Sequence, residues 1–453
     1  MRGARPGGQS APDPGAPVKN AYRPVLANRV FRRLILGFVV SYLGDGMSFV
    51  AVAWLAIELA PEATAGLWVG AAVASATLPG VIGALVLGRR LRRLPAKRLL
   101  LLDNTARAIF LGAVPLAWFA GVLTPPLYVV LLAASSLLHA WGSAGKYTIV
   151  AELLPDDQRL AANSLISSLN FGATIAGPAI AGVLVTYVNT ALVIGIDALT
   201  YVFLAVILLR TRLPDSRPAA APVDQAAARG GFALLRSHPQ LLGLLALTWF
   251  FNFLYGPVEV ALPLHVTDDL DGPGTLLALY WILFGAGAVV GGLAVGALRR
   301  LPLWPVTVGI VIGWGLTLLP FASSTVPTAA TIVSFTLGGM IYGPFVAFSV
   351  TLMQTTSPPE HLPAMLAARS AALLTASPLG TALGGPLTTA LGPRATLGVS
   401  GLATVALGVA ACVALLAARR TRTGQDRRSP GRRSPASVKA TECTANQNNR
   451  EKS

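Results

Sequence analysis

Charged residues are scarce in this sequence of 453 residues, where they make up 12% of the chain. That is about half of the share found in soluble domains. Hydrophobic residues make up 54%, and the mean hydropathy is +0.63. A soluble protein of this length needs a polar exterior that this composition does not supply. The composition therefore predicts an all-α membrane protein.

Cysteine and histidine are also rare. The two cysteines, Cys412 and Cys443, lie in an apolar run and a polar tail, which argues against a disulfide framework and a thiolate metal site. Four scattered histidines argue against a metal cluster. The sequence has no Walker-type phosphate loop and no recognisable catalytic arrangement. It predicts a protein that is not an enzyme and binds no cofactor or metal.

Long apolar runs dominate the rest. A membrane-spanning helix needs roughly 20 apolar residues to cross about 30 Å of hydrocarbon. By that measure the sequence predicts twelve transmembrane helices joined by short connectors, so that chain neighbours are antiparallel. They lie near 34–59, 64–87, 99–123, 126–150, 161–186, 189–210, 241–265, 275–298, 303–322, 328–352, 363–390 and 395–418. The first can serve as an uncleaved insertion signal.

The basic residues predict the orientation. If the N-terminus is cytoplasmic, 31 of the 35 Lys and Arg residues lie in cytoplasmic segments, as the positive-inside rule requires. Both termini are therefore predicted to be cytoplasmic. The high content of alanine, arginine, glycine and proline is typical of a GC-rich bacterial gene, which predicts the plasma membrane of a bacterium. These residues border membrane helices, where they suit anionic lipids, and no basic face interleaved with aromatics accompanies them. Membrane lipids, and not nucleic acid, are the expected partners.

Five segments follow from these boundaries. Two six-helix halves are flanked by termini too poor in apolar residues to fold, and a cytoplasmic linker joins them. The sequence GFALLRSHPQ in the linker predicts a short amphipathic helix at the membrane interface. The segments are a disordered N-terminus 1–33, a first half 34–210, a linker 211–240, a second half 241–418 and a disordered basic tail 419–453.

The two halves repeat each other. LRRLP occurs at 91–95 and at 298–302, in each case after the second helix of a half. Gly177-Pro178 in the fifth helix pairs with Gly385-Pro386 in the eleventh. WGS and YGP, and AELLPDDQRL and MQTTSPPEHL, form two further pairs, and all four offsets lie between 201 and 208 residues. Two halves in the same orientation indicate a parallel repeat about the membrane normal, as in major facilitator transporters.

Several motifs carry a more specific resemblance. They are SYLGDGMSFVAVAWL in helix 1, LLLLDNTARA in helix 3, AELLPDDQRLAANSLISSLNFGATIAGPAIAGVL leading into helix 5, IDALTYVFLAVIL in helix 6, GFALLRSHPQL before helix 7, and LMQTTSPPEHL and PLGTALGGPL in the second half. Over about 34–418 the chain resembles the drug and siderophore exporters of the major facilitator superfamily, which include enterobactin exporters and macrolide efflux proteins. The resemblance implies transport by alternating access of the two halves.

The sequence departs from the family at the cytoplasmic loops. Arg92 stands where the family's loop signature has an aspartate, and Pro95 stands at its second glycine. Ala181 replaces a usual glycine of helix 5. Either Arg92 pairs with an acid elsewhere, such as Asp103 or Glu152, or the inner face is gated without that contact. The candidate gating residues of the two loops are Arg92, Arg93, Arg299 and Arg300.

Ionisable residues inside a bilayer are costly and are therefore functional candidates. Asp45 lies eleven residues into helix 1, about 16 Å along it and near the midplane. It is either a proton carrier, a site for a substrate cation, or a structural hydrogen-bond acceptor. Asp103 and Arg107 are four residues apart, which favours a structural pair on one face of helix 3.

Four further candidates lie in both halves. Lys146 either extends to the interface or pairs with Glu152. Asp197 either makes a packing hydrogen bond or takes part in transport. Glu259, near the outer end of helix 7, either faces water or has a functional role. Asn252 follows Asp45 by 207 residues and is its neutral counterpart in the repeat.

Aromatic residues of helices 7 and 8 are candidates for an apolar pocket, although belts and core packing explain such residues more often. They are Trp249, Phe250, Phe253, Tyr255, Tyr280 and Trp281.

These features predict a monomeric secondary transporter that exports an amphipathic small molecule in exchange for protons. An uptake permease of the same fold is one alternative, and a membrane sensor or scaffold that moves no solute is another. The sequence does not identify the substrate.

Overall fold

The architecture is helical throughout the part of the chain that the structure, a computed structural model, describes. That part comprises residues 22–87, 91, 93–213, 225–298, 301–358 and 360–428. The α-helices are α1 Tyr22–Ala27, α2 Arg29–Leu59, α3 Ala65–Ser75, α4 Leu78–Val86, α5 Ala96–Phe119, α6 Pro125–Ser136, α7 His139–Leu153, α8 Asp156–Leu184, α9 Thr190–Arg210, α10 Gln225–Arg236, α11 Pro239–Leu264, α12 Gly274–Leu298, α13 Leu303–Leu318, α14 Thr328–Tyr342, α15 Phe345–Thr356, α16 Leu362–Leu391 and α17 Pro393–Arg428. A π-helical turn, His265–Asp269, continues α11.

The membrane prediction is confirmed. Within the described residues, ten helical units are long and apolar enough to cross a membrane, or eleven if the pair Glu62–Ser75 and Leu78–Val86, bent by 42°, is one span. The chain is therefore a multi-pass membrane protein. Helix α16, on the eleventh predicted span, is not among these units, so the count of twelve stays a prediction.

Three of the predicted spans are broken helices. In the second span α3 and α4 are separate, α6 and α7 are separate in the fourth, and α14 and α15 are separate in the tenth. Pro344 lies at the break between α14 and α15, where its missing N–H cannot continue the helical ladder. At the α6 break, the Ser136 hydroxyl donates to the Ser75 carbonyl at 2.7 Å. Hydroxyl groups commonly satisfy backbone groups that such breaks expose inside a membrane.

The helical region begins before residue 34, where the sequence predicted it to start. Helix α1 covers part of the predicted disordered segment 1–33, and α2 begins at Arg29. The side-chain oxygen of Asn28 caps α2, because it accepts hydrogen bonds from Val30 N at 3.0 Å and Phe31 N at 3.1 Å. At the other end α17 continues to Arg428, past the predicted boundary at 418. Residues 1–21 and 429–453 lie outside the described residues.

The linker contains the predicted amphipathic helix, but protein covers its apolar face. Helix α10 packs on α16, and a Cβ atom added at Gly231 would collide with the Ala364 carbonyl. Leu235 is fully buried in a cluster with Leu241 and Met365. The helix therefore packs against the second half and holds this part of the linker there, so its apolar face is not free to contact a membrane surface. Residues 214–224 of the linker lie outside the described residues.

The two halves share one packing scheme. In the first half α2 packs on α8 and α9, and α5 packs on α9. In the second half α11 packs on α16 and α17, and α13 packs on α17, which are the equivalent pairs in the repeat. The halves meet along two seams, α3 with α16 and α8 with α12.

Glycines allow the closest helix contacts. Gly46 of α2 faces Ala173 and Gly177 of α8, and the Cα atom of Gly177 would lie 3.0 Å from a Cβ added at Gly46. Gly70 of α3 faces Gly385 of α16, whose Cα atom would lie 2.6 Å from such a Cβ. Small residues let helices approach closely in a membrane. The repeated glycines Gly177 and Gly385 thus have different partners, one inside its half and the other across the halves.

We expect Gly46→Leu to destabilise the protein, because the added side chain meets the backbone of α8. Overpacking of this kind costs about 1–3 kcal/mol. The measurement is the apparent unfolding temperature of the purified protein in detergent. Gly172→Ala on α8 is the control, because a Cβ there has no neighbour within 4 Å. Equal unfolding temperatures for Gly46→Leu and the wild type would contradict this packing.

Candidate functional site

Five of the predicted residues meet inside the first half. Asp45 lies on α2, Asp103 and Arg107 on α5, Lys146 on α7, and Asp197 on α9, and four of the five line one cavity. Asp103 lies directly behind them and borders a smaller adjoining recess with Asp45 and Arg107. Four helices thus bring together charges that are far apart in the sequence. We call this set the ion cluster.

Arg107 is the centre of the ion cluster. Its Nη1 atom lies 3.4 Å from Asp45 Oδ1, and its Nε atom lies 3.4 Å from Asp103 Oδ1. The Arg107 side chain is 10% exposed and that of Asp103 is 7% exposed, whereas that of Asp45 is 43% exposed. Arg107 therefore forms ion pairs with two carboxylates at once. Of the two, only Asp45 is open to the cavity.

Tyr201 links Arg107 to Asp45 by a second route. Arg107 Nη1 donates to the Tyr201 hydroxyl oxygen at 2.6 Å, and the Tyr201 hydroxyl donates to Asp45 Oδ1. The guanidinium carbon of Arg107 also lies 5.1 Å from the centre of the Tyr201 ring. The sequence reasoning missed Tyr201. Its signal was its position one helical turn after Asp197, on the same face of α9.

Asp197 lies apart from the arginine. Ser48 Oγ donates to Asp197 Oδ2 at 2.5 Å, and Thr200 Oγ1 donates to Oδ1 at 3.2 Å. Asp197 is 1% exposed, and no Lys or Arg of the described chain lies within salt-bridge distance of it. Gly44 makes room for this contact, because a Cβ there would collide with Asp197 Oδ1. Asp197 is thus a hydroxyl-bound acid at the α2–α9 interface.

Lys146 faces the cavity. Its Nζ atom donates to the Tyr42 hydroxyl oxygen at 2.7 Å and lies 4.9 Å from the centre of that ring and 5.1 Å from that of Tyr147. His139, at the start of α7, lines the same cavity and was not singled out from the sequence. The break between α6 and α7 places this histidine beside the ion cluster.

In the second half the cavity is reached by Glu259 and not by Asn252. The Asn252 amide donates to the Thr248 carbonyl of its own helix at 2.8 Å and lines neither central cavity. Tyr255, one helical turn after Asn252, lines the second cavity instead. The role of Asn252 as the neutral counterpart of Asp45 stays a prediction.

Two adjoining cavities occupy the centre between the halves, with volumes of about 640 Å³ and 630 Å³. The ion cluster lines the first, and aromatic residues of the second half line the second. Volumes of this order hold drug-sized ligands. The residues that border both cavities are Tyr42, Asp45, Phe49, Asn170, Phe171 and Glu259. The space between the halves is therefore amphipathic, with charge on one side and rings on the other.

The predicted aromatic residues divide into two groups. Tyr255 and Trp281 line the second cavity, together with Phe284 and Tyr342. The other four predicted aromatics, Trp249, Phe250, Phe253 and Tyr280, line neither central cavity.

The gating loops are described only in part. Arg93 is exposed at the connector before α5. Arg92, Arg299 and Arg300 lie outside the described residues. Among the residues that the structure describes, no group of three His, Cys, Asp or Glu side chains could hold a metal ion.

Comparisons with known proteins agree on one family. The model of the Major Facilitator Superfamily matches residues 34–356. The multidrug efflux pump Tap of Mycolicibacterium fortuitum is 27% identical over 75% of this chain and 84% of its own. Macrolide efflux protein A of Streptococcus pyogenes is 24% identical over 77% of this chain and 88% of its own. The crystal structure of the nucleoside transporter NupG has a TM-score of 0.66 at 16% identity and covers 85% of this chain and 98% of its own.

We expect Arg107→Gln to destabilise the protein by about 3–5 kcal/mol, because removing one partner of a buried ion pair leaves an uncompensated charge. The double variant Asp103→Asn/Arg107→Gln should recover much of that loss. Unfolding temperatures of the single and double variants in detergent measure the coupling.

Arg369→Gln is the matched control, because Arg369 donates to the Ser349 hydroxyl at 3.1 Å and pairs with no acid in the described chain. Its loss of stability should be smaller than that of Arg107→Gln. Additive effects of Asp103→Asn and Arg107→Gln would show that the pair is not energetically coupled.

Proposed function

This chain belongs to the Major Facilitator Superfamily, whose members are transporters and not enzymes, and we propose that it is a proton-coupled exporter of amphipathic small molecules. One observation carries the proposal. Asp45, a partly exposed acid that pairs with Arg107, lines a central cavity together with a wall of aromatic rings. Such a cavity can hold a proton and an apolar body at the same time. The similarity to efflux proteins supports export.

The proposed topology has twelve crossings, with α3 and α4 forming the second and α16 the eleventh. The 31 basic residues in the terminal segments and in alternate connectors support cytoplasmic termini in the plasma membrane. A monomer is sufficient, because both halves of the cavity come from one chain.

In the proposed transport cycle the halves 34–210 and 241–418 rock about the central cavity. Contacts across the halves support this cycle. Gly66 faces Thr389, and Gly182 faces Ala278, near the helix ends opposite the basic connectors. The cavity is lined by Lys146 and Tyr147, which lie in the second part of the broken span Pro125–Leu153, nearer its predicted cytoplasmic end. This arrangement corresponds to a state closed outside and open to the cytoplasm.

Proton coupling is assigned to Asp45. A proton on its carboxyl group removes the negative charge with which Arg107 pairs and to which the Tyr201 hydroxyl donates. The contacts of α2 with α5 and α9 are then weaker. Such a change matters only if the two states of the transporter differ in these contacts, because a ligand shifts an equilibrium by its differential affinity. Asp103 keeps its charge compensated by Arg107 in either case. Asp45 is therefore the proposed proton carrier, and the Asp103–Arg107 pair is structural.

The proton gradient supplies enough free energy. One proton crossing about 100 mV releases roughly 2.3 kcal/mol, and a pH difference of about one unit adds roughly 1.4 kcal/mol. Together they sustain a gradient of several hundred-fold in a neutral solute, since each 1.4 kcal/mol is tenfold.

We expect Asp45→Asn to abolish proton-coupled efflux while the protein remains folded. In inverted vesicles with an acidic lumen, amphipathic compounds added to the wild type should dissipate the pH gradient, and the variant should show at least about a tenfold smaller response. Glu58→Gln on the same helix is the control, because Glu58 accepts from Thr190 at 2.7 Å and lines neither central cavity. Undiminished coupling in Asp45→Asn would remove Asp45 from the mechanism.

The alternatives predict different transport. An uptake permease of the same fold would accumulate the compound in intact cells that carry the protein, whereas an exporter depletes them. A sensor or scaffold would move no solute, and its intramembrane acids would be dispensable.

A further inference from the structure

Glu259 occupies an unusual position, since it is an acid in the aromatic part of the cavity. No Lys or Arg side chain of the described chain lies within salt-bridge distance of it. We propose that Glu259 and the rings beside it form a subsite for the cationic group of an amphipathic substrate, a tertiary or quaternary amine or another onium centre on an apolar body. The inference rests on the proposed transport function and specifies its substrate class.

The carboxylate is held in place on one side only. Thr381 Oγ1 of α16 donates to Glu259 Oε2 at 3.0 Å, and Thr381 is 1% exposed. No hydrogen bond from a described residue reaches Oε1. Glu259 is half-buried and borders both central cavities. One oxygen is therefore anchored to the helix packing, and the other remains available to a ligand in the cavity.

The charges around the cavity separate Glu259 from the other acids. Arg107 faces both Asp45 and Asp103, which leaves these two carboxylates compensated. Asp197 has no cation, but two hydroxyls bind it and it is 1% exposed, so that a ligand has little access. Glu259 has one hydroxyl partner and open space. It is therefore the acid whose charge a bound cation is best placed to compensate.

The aromatic residues that line this cavity with Glu259 are held in place by packing against one another. Trp281 packs edge-on against Phe49 with ring centres 4.9 Å apart, and against Phe284 at 5.8 Å. Tyr255 packs with Tyr342 at 5.6 Å. These contacts come from both halves and hold the rings in fixed orientations. Ring faces attract cations, most strongly where water is excluded. An onium group beside Glu259 thus gains from the carboxylate and from the rings, while its apolar body fills a cavity of about 630 Å³.

This assignment gives the two exposed acids separate roles. Asp45 pairs with Arg107, so a substrate cation at Asp45 would be repelled by the guanidinium group. Glu259 has no such neighbour. A proton on Asp45 and a substrate cation on Glu259 can therefore be bound together or in turn without competing for one carboxylate.

The test is equilibrium binding to the purified protein in detergent, measured by calorimetry. Two probes of similar size are compared: methyltriphenylphosphonium, a permanent cation, and triphenylphosphine oxide, which is neutral. The wild type should prefer the cation. Glu259→Gln keeps the shape and the hydrogen bond from Thr381, and should weaken cation binding by about tenfold or more, with binding of the neutral probe unchanged within about twofold. Glu259→Asp should keep the preference for the cation.

Glu58→Gln is the matched control, since it removes an acid that accepts from a threonine but lines neither central cavity. It should change binding of neither probe. No preference for the cation in the wild type, or an intact preference in Glu259→Gln, would overturn the subsite. Equal weakening of both probes in Glu259→Gln would also overturn it, by showing that the residue only shapes the cavity. Should Glu259→Gln fail to fold, Trp281→Leu provides the second test, and an unreduced preference for the cation in that variant would overturn the subsite.

Because these measurements use no ion gradient, they do not depend on proton coupling. Selective binding with no proton-driven transport would refute the proposed function and leave the subsite standing. Proton-driven transport with no preference for the cation would refute the subsite and leave the proposed function standing.

Discussion

Compensation of buried charge is the constraint on which the rest of this structure depends. An unpaired charge inside a membrane protein costs more free energy than most single contacts contribute. Arg107 meets that constraint for two carboxylates, Asp45 and Asp103, and Tyr201 extends its reach. Helices α2, α5 and α9 are therefore held together by polar contacts beside the central cavity. In the proposed mechanism, a proton on Asp45 weakens these contacts.

Packing of small residues is the second interaction that determines how the helices are arranged. Gly46 and Gly177 bring α2 against α8, while Gly70 and Gly385 bring α3 against α16. The first contact lies within a half and the second lies between the halves. The close contact across the halves lies at one end of the helices, and the cavities lie in the centre between the halves. The two halves contribute unlike walls to it, ion pairs from the first and aromatic rings from the second, because the repeat conserves helix packing and not side-chain chemistry.

Much of this could be predicted from the sequence. Long apolar runs identify membrane helices, and four repeated motifs reveal two similar halves. Intramembrane charge is rare enough that Asp45, Asp103, Arg107, Lys146 and Asp197 could be chosen without a structure, and the structure brings them together. Tyr201 had only the signal of its position one helical turn after Asp197. Ser48 and Thr381 could not be chosen, since hydroxyl side chains are common in membrane helices and their roles depend on which acid they face. That Asn252 lines neither central cavity could not be predicted either, because the residues a cavity contacts depend on how the helices pack.

The sequence by itself determined that this is a helical membrane protein built from two similar halves, because hydrophobicity and repetition are properties of the chain alone. Only the tertiary structure decided which acids are compensated. Asp45 and Glu259 are both carboxylates on the first helix of their half. One faces an arginine two membrane spans away in the chain, and the other faces a threonine and a wall of rings. The difference in their chemistry comes from neighbours that are remote in sequence, and the strength of an electrostatic interaction depends on distance in space and on burial.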